Sequence, residues 1–288
     1  MANVIINDTN LTNIANAIRE KNGTTNTYKP SEMAAAITNL PTGGSSGGDL
    51  DAFITGTLTE YRNSELTEIR DSAFYSSKLE IIDLPNVTEV NAEAFRKCDK
   101  LKSINLSNLE SIVGNYVFAN SGYYDTEYDS NFNAIFKRKC DISLPKITSL
   151  PAYTFQYAAF RVISLPSLTQ SVIQNTFNGC NSAVVDLGPD CYYLAANSFS
   201  AATRVLALVL RRTEDAVQCA AASSINNAGF TNAKATGYVY VPSALIETYK
   251  AANIWTNCSD RFRVLEEYTL DGTTTGELDL AKMDIEEV

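Results

Sequence analysis

The residues of this sequence that could carry out chemistry are six cysteines and 33 carboxylates, with no histidine in 288 residues. Histidine is the usual general base, the partner of serine and cysteine nucleophiles, and the commonest zinc ligand. The cysteines form no CxxC pair, which is the usual spacing in a structural zinc site. We therefore expect a protein that is not an enzyme, with no catalytic residue, no metal site and no cofactor.

Two of the cysteines occur in the same phrase, "EAFRKCDKLKSINL" around Cys98 and "NTFNGCNSAVVDL" around Cys180. Each follows a phenylalanine by three residues, and the same position elsewhere holds Ser or Ala. Because every occupant is small, the pattern predicts a tight, buried position where cysteine acts as a small hydrophobic residue. Cys191 falls in a second apolar position, eight residues before Phe199. The other three fit no repeated position, and their redox state stays open: Cys140, Cys219 and Cys258.

Residues 121–140, "SGYYDTEYDSNFNAIFKRKC", group aromatic rings with carboxylates. Aromatic side chains clustered on a loop give rigid, amphipathic contact area for a sugar ring or a protein surface. The alternative is a loop that folds against the flank of the fold, with its aromatic residues as its own small core. We predict ligand contacts for four of them: Tyr123, Tyr124, Tyr128 and Phe132.

Asp125 and Asp129 of this segment could in principle serve as the two carboxylates of a glycoside hydrolase. No cleft flanked by both is indicated, however. The "DTEYD" run could also offer oxygen ligands to calcium, but it lacks the glycine and the terminal glutamate of a helix-loop-helix calcium site. We disfavour both sites.

The elements that must position these residues form a repeat. Six phenylalanines are separated by 21, 23, 37, 22 and 22 residues, and the one long gap holds a normal repeat plus the insertion. An aliphatic residue lies five positions before each phenylalanine, and a short alternating strand such as "IIDL" follows it. This period is typical of a leucine-rich-repeat solenoid. The phenylalanines are Phe74, Phe95, Phe118, Phe155, Phe177 and Phe199, and the aliphatic residues are Ile69, Val90, Val113, Leu150, Val172 and Leu194.

Side chains alternate along each predicted strand, so one face is apolar and the other is small, polar and mildly acidic. Solenoids use such extended faces for binding. A solvated face without a partner is the alternative. The outward residues that we predict to contact a ligand are Asp83, Asn105, Ser143, Ser164 and Asp186.

The flanking segments differ from the repeats. "NLTNIANAIREKNG" and "KPSEMAAAITNLP" predict two short helices, and "TGGSSGG" predicts a flexible tether. "GYVYVPSALIETYKAANIW" and "DRFRVLEEY" predict a strand, a helix and a strand that close the far end. We expect the last residues to be mobile, or ordered only against a neighbour. The predicted organisation is a helical attachment module (1–41), a Gly/Ser linker (42–49), an N-terminal β cap (50–65), the repeats (66–212, with the insertion 121–140), a C-terminal cap (213–268) and an acidic tail (269–288).

The net charge of −10 has the wrong sign for binding nucleic acid or an anionic membrane surface, so we expect neither as a partner. Arg204, Arg211 and Arg212 form a small basic spot that we interpret as a solvated edge. No run of about 18 apolar residues predicts a membrane span, and the first residues show no secretory signal.

The phrase "AFxxCxxLxxIxL" over residues 60–212 resembles the BspA-type leucine-rich repeats of bacterial surface proteins. The opening "LTNIANAIREKNGTTNTYKPSEMAAAI" is similar to an N-terminal module of tail-associated proteins from phages and prophages of Gram-positive bacteria. The fold implied is an α+β BspA-like solenoid of about six repeats, with both caps and the two-helix module. The function implied is adhesion or host recognition.

We therefore expect a non-enzymatic recognition protein on a virion tail or extracellular surface. Its partner would be a protein or glycan of a bacterial surface, with residues 1–41 contacting other tail subunits and with homo-oligomers as a further expectation. Two alternatives stay open: a host-encoded cell-surface adhesin, and a purely structural tail subunit without a host ligand.

Overall fold

The structure is a computed structural model that describes residues 16, 58–128, 130, 132, 134–231 and 234–285. The chain divides into two units, Met1–Asp49 and Leu50–Val288. Of the first unit only Asn16 is described, and it is helical. The predicted helical module, the linker and the beginning of the β cap (50–57) therefore lie outside the described residues. The account that follows concerns the second unit.

Short strands dominate the described residues of the second unit, with one α-helix and four 3-10 helices among them. The strands are β1 Glu60–Arg62, β2 Glu68–Ile69, β3 Ile81–Asp83, β4 Glu89–Val90, β5 Ser103–Asn105, β6 Ser111–Ile112, β7 Tyr124–Tyr128, β8 Ala134–Arg138, β9 Asp141–Ser143, β10 Val162–Leu165, β11 Gln170–Val172, β12 Val184–Leu187, β13 Cys191–Leu194, β14 Ala207–Leu210, β15 Gln218–Cys219, β16 Tyr238–Val241 and β17 Phe262–Val264. The helix α1 is Ile246–Ala251, and the 3-10 helices are Ala222–Ser224, Ser243–Leu245, Trp255–Arg261 and Leu265–Tyr268.

Nine of these strands form the parallel rungs of a solenoid. Their order is β1-β3-β5 in one sheet and β9-β10-β12-β14-β16-β17 in the next, with β5 beside β9. A second parallel ladder, β2-β4-β6 and then β11-β13-β15, follows the same order. The predicted solenoid is confirmed, but it is a β-solenoid of about nine turns with few helices. It exceeds the six predicted repeats because β1, β16 and β17 pair within the same rungs.

The six repeat phenylalanines stack ring upon ring in chain order, as predicted. Successive ring centroids are 4.8 to 5.5 Å apart and successive ring planes lie within 13° of parallel. Backbone hydrogen bonds between successive coils impose the same spacing along the solenoid. Phe74 N donates to Ala94 O at 2.8 Å, and Phe177 N donates to Ser198 O at 2.8 Å. Each phenylalanine is thus held one coil above the next by its ring and by its amide.

Each phenylalanine is flanked by two residues in the left-handed region, two positions before and two positions after it. Their φ angles lie between 55° and 63°, a region that costs free energy for residues other than glycine. The hydrogen bonds between successive coils offset that cost, and the two turns redirect the backbone around the ring. The pairs are Ser72 and Ser76, Glu93 and Lys97, Tyr116 and Asn120, Tyr153 and Tyr157, Asn175 and Gly179, and Asn197 and Ala201.

The aliphatic residue five positions before the phenylalanine is buried in five of the six repeats, and the exception is Val113. Val113 is 46% exposed, and Ile112 takes the buried position, paired with Val90 in the second ladder. This repeat spans 23 residues, so one extra residue must be accommodated. Gly114 does so at φ 87°, where a Cβ would lie 2.7 Å from the Cβ of Ala92.

The small position three residues after each phenylalanine is fully buried in all six repeats, including the two that carry Cys98 and Cys180. All six cysteines are free thiols, and Cys219 alone is half-buried rather than buried. Burial raises the pKa of the Cys98 thiol to about 12 and that of Cys191 to about 11. These cysteines therefore serve the architecture.

The acidic tail was predicted to be mobile or to be ordered against a neighbour, and its described part is instead packed on its own solenoid. We call residues 269–285 the C-terminal strap. Met283 and Ile285 are buried against Val184 and Val209 on the outer face of the sheet. The strap is acidic only on its exposed side, because apolar residues recur between its carboxylates.

Replacing Phe155 by alanine should lower the free energy of unfolding by about 3–5 kcal/mol, because it leaves a cavity between two stacked rings. Urea denaturation followed by circular dichroism measures this. The matched control is Phe132→Ala, which removes a ring that is 87% exposed and should change stability by less than ~0.5 kcal/mol. Equal urea midpoints for the two variants would contradict the stacked core.

A thiol reagent should label the folded chain at neutral pH at least ~100-fold more slowly than the urea-unfolded chain, since burial keeps the thiols protonated. Half-buried Cys219 should react first. Mass spectrometry of timed samples measures the number of modified thiols. Rapid native labelling of several cysteines would show that their positions are not tightly packed.

Candidate functional site

The predicted polar residues lie in register on the outer face of the parallel sheet. Asp83 and Asn105 are aligned across β3 and β5, beside Arg62 of β1. Ser143, Ser164 and Asp186 are aligned across β9, β10 and β12. The strand alternation thus brings all five predicted residues to one face, in two rows.

The first row forms a ladder of its own. Nδ2 of Asn105 donates to Oδ1 of Asp83 at 2.8 Å, and Arg62 Nη1 lies 3.2 Å from Oδ2 of Asp83. These side chains satisfy one another's hydrogen-bonding groups. They are half-buried or exposed, so they also remain accessible to solvent. A ligand would contact them at the surface rather than in a cavity.

Asp186 is buried and paired with Arg211, whereas the sequence predicted that it would lie open to solvent. Its two carboxylate oxygens accept from Arg211 Nε at 2.7 Å and Nη2 at 2.9 Å, and both side chains are buried. Arg211 also donates to Thr274 O of the C-terminal strap. Burial raises the pKa of Asp186, while the hydrogen bond and charge of Arg211 oppose that rise. Arg211 is therefore a strap anchor and no part of a solvated basic edge.

The middle of the strap borders the two serines and leaves a groove of about 620 Å³ between itself and the sheet, the strap groove. Ser143 and Ser164 line one side, and Leu278 and Leu280 of the strap line the other. Three of the five predicted sheet residues, Ser143, Ser164 and Asp186, therefore border a groove that combines hydroxyl groups with apolar walls. Such a lining suits a small ligand with a mixed surface.

The insertion is an antiparallel hairpin, β7 against β8, with its tip at the turn between them. Tyr124 is 41%, Tyr128 67% and Phe132 87% exposed. At the base, Tyr124 packs edge-on against Phe136 at 5.1 Å, and the guanidinium carbon of Arg204 lies 3.5 Å from the Phe136 ring centroid. The base is thus folded against the solenoid flank, whereas Tyr128 and Phe132, which we call the hairpin tip, are open to solvent.

Tyr123 is half-buried beside the hairpin and donates its hydroxyl proton to the Asp125 carboxylate. That hydrogen bond holds the pKa of Asp125 below its usual range, helped by the charge of Lys139. Asp125 is thus a surface carboxylate engaged by Tyr123 and Lys139. Asp129, its proposed catalytic partner, lies outside the described residues.

A second groove, of about 730 Å³, was missed by the sequence reasoning; we call it the lysine groove. Lys97 stands 5.5 Å over the ring of Tyr75, and Lys100 stands 5.3 Å over Tyr123. Neither lysine forms an ion pair within the described residues. An alignment of the repeats on their phenylalanines would have found it, because positions two to five after each ring line this flank.

Within the described residues no three His, Cys, Asp or Glu side chains are placed together as metal ligands would be. In the same part of the chain, no helix has the length and apolar character that crossing a bilayer demands.

Two overlapping segments, residues 57–140 and 138–259, match the sequence pattern of the BspA type Leucine rich repeat region, in six copies. Together they run from just before β1 into the 3-10 helix Trp255–Arg261 and so cover well over half of the chain. A comparison with curated proteins finds no match.

Replacing Asp186 by asparagine should destabilise the protein by about 3–5 kcal/mol, because the buried Arg211 would lose its counter-ion. The double variant Asp186→Leu with Arg211→Met should recover most of that loss, since an apolar pair carries no uncompensated charge. Thermal and urea unfolding of both variants measures this. A double variant that is as unstable as the single one would contradict the coupling.

Proposed function

The chain belongs to the BspA-type leucine-rich repeat family, and from this premise we propose that it is a non-enzymatic recognition protein that binds a bacterial surface component. The observation that carries the proposal is the hairpin tip. Tyr128 and Phe132 are large, exposed and adjacent to a rigid solenoid. Exposed aromatic side chains of this kind serve as anchors in binding interfaces.

The mode of binding follows from where the grooves lie. The base of the hairpin borders the lysine groove, because Tyr123 and Tyr124 belong to the lining of that groove. A ligand on this flank would meet aromatic rings and ammonium groups together, a combination suited to a saccharide or a polar protein surface. The stacked core holds these elements in fixed positions, so little conformational entropy is lost on binding.

The biological setting that we propose is a phage or prophage tail. The resemblance of residues 1–41 to a tail-associated module supports it, since such a module would attach the protein while the Gly/Ser linker spaces the solenoid from it. Several copies on one particle would add their contacts and raise avidity. A host-encoded adhesin would use the same flank on a cell, and a structural subunit would use it on a sister chain.

The proposal is tested with the full chain against a panel of Gram-positive cells and a glycan array. The double variant Tyr128→Ser with Phe132→Ser should weaken binding by roughly tenfold or more, because it removes the exposed anchors, and should leave the unfolding midpoint unchanged.

The control double variant, Tyr192→Ser with Leu270→Ser, removes two exposed apolar side chains outside the hairpin and should bind like the wild type. Full binding by the hairpin-tip variant would overturn this assignment. Failure of the wild type to bind any cell or glycan would favour the structural subunit.

A further inference from the structure

Two arginines meet at the base of the hairpin, one from the insertion and one from the last repeat. Arg138 of β8 is only 5% exposed. Its Nε donates to Asn181 O, Nη1 to Phe136 O at 3.3 Å and Nη2 to Arg204 O at 3.4 Å. Every acceptor is a neutral backbone carbonyl. The guanidinium is therefore solvated by the protein without being neutralised.

Neither Arg138 nor Arg204 forms an ion pair with a carboxylate of the described residues. Burial lowers the pKa of Arg138 to about 10, and the charge of Arg204 acts in the same direction, so Arg138 still carries its charge at neutral pH. The Cys180 thiol nearby offers no counter-charge, because burial raises its pKa. By contrast, Arg161 and Arg211 each hold a carboxylate with two nitrogens. A buried cation without a counter-ion is costly and indicates a missing anion.

Free donors are available for that anion. Arg138 uses three of its N–H groups on carbonyls, and a guanidinium has five. The Arg204 side chain donates to none of the described residues, and its stacking on Phe136 fixes the plane of the guanidinium while leaving its edge open. The two groups border a pocket of about 220 Å³, lined by Tyr124, Phe136, Arg138, Asn181 and Arg204.

We propose that this pocket, the arginine pocket, binds an oxyanion, specifically a phosphate group. Charge-assisted bonds from guanidinium forks match the geometry of phosphate oxygens. The pocket is smaller than the roughly 300–1,000 Å³ of sites that hold drug-sized ligands, so it takes one charged group rather than a sugar chain. The inference rests on the proposed function for its biological ligand: an anionic, phosphate-bearing polymer whose remaining units would lie along the same flank.

Isothermal titration calorimetry of the full chain with inorganic phosphate, at ionic strength held constant with sodium chloride, tests the pocket. Dimethyl phosphate is titrated in parallel. It represents a phosphodiester within a polymer, whereas inorganic phosphate represents a free or terminal group. We expect the wild type to bind at least one of the two. Arg204→Gln should lose roughly 10- to 100-fold in affinity, the worth of one charge-assisted contact.

The matched control is Arg263→Gln, because Arg263 is also stacked, 3.9 Å over the ring of Tyr238, but lies outside the arginine pocket. It should bind phosphate like the wild type. Arg138→Gln should abolish binding; if that variant does not fold, Arg204→Gln decides alone. Absence of binding by the wild type, or unchanged binding by Arg204→Gln, would overturn the pocket.

The outcome separates the two proposals. Phosphate binding that needs Arg204, together with failure to bind any cell, would support the pocket and remove the proposed function. Cell binding that needs the hairpin tip, without any phosphate binding, would retain the function and remove the pocket.

Discussion

Stacking of the repeat phenylalanines sets the spacing of the coils that carry them, and the rest of the structure depends on it. A ring must lie about 5 Å above its neighbour at the same time as an amide lies above a carbonyl, so the two spacings must agree. Parallel strands in a ladder lie about 4.8 Å apart, close to the ring spacing, which is why one rise satisfies both. The residues in the left-handed region on either side of each ring are tolerated because ring stacking and the backbone hydrogen bonds between coils together hold them in place.

The same constraint explains where variation is possible. Phe118 and Phe155 are 37 residues apart in sequence, yet their rings are 5.3 Å apart, so the insertion leaves the coil as a hairpin without disturbing the stack. Positions whose side chains point outward are not restricted by the stack of rings. Lysines, arginines and exposed aromatic side chains can therefore lie together on one flank. A rigid interior with a variable exterior suits recognition, because binding groups can change while their positions stay fixed.

The periodic part of the fold was predictable from the sequence, and the contacts between distant residues were not. The phenylalanine spacing and the small residue three positions later repeat in the chain, so the sequence alone predicts both. The buried position falls on Ile112 instead of Val113, because the pattern of apolar residues does not reveal that this repeat contains one extra residue. Arg211 with Thr274, and Arg138 with Arg204, are joined across 63 and 66 residues by contacts that no period encodes. The strap therefore covered Asp186, a residue that alternation alone placed in solvent.

A double-mutant cycle between adjacent rings tests the central claim most directly. Phe118→Leu and Phe155→Leu, singly and together, give the interaction free energy of the pair from urea denaturation. The stack predicts a coupling of about 0.5–1.5 kcal/mol for this pair, whereas Phe74→Leu and Phe199→Leu, at opposite ends of the file, should add within ~0.5 kcal/mol. Strict additivity for the adjacent pair would show that the rings are buried independently and that their stacking does not set the rise of the coils.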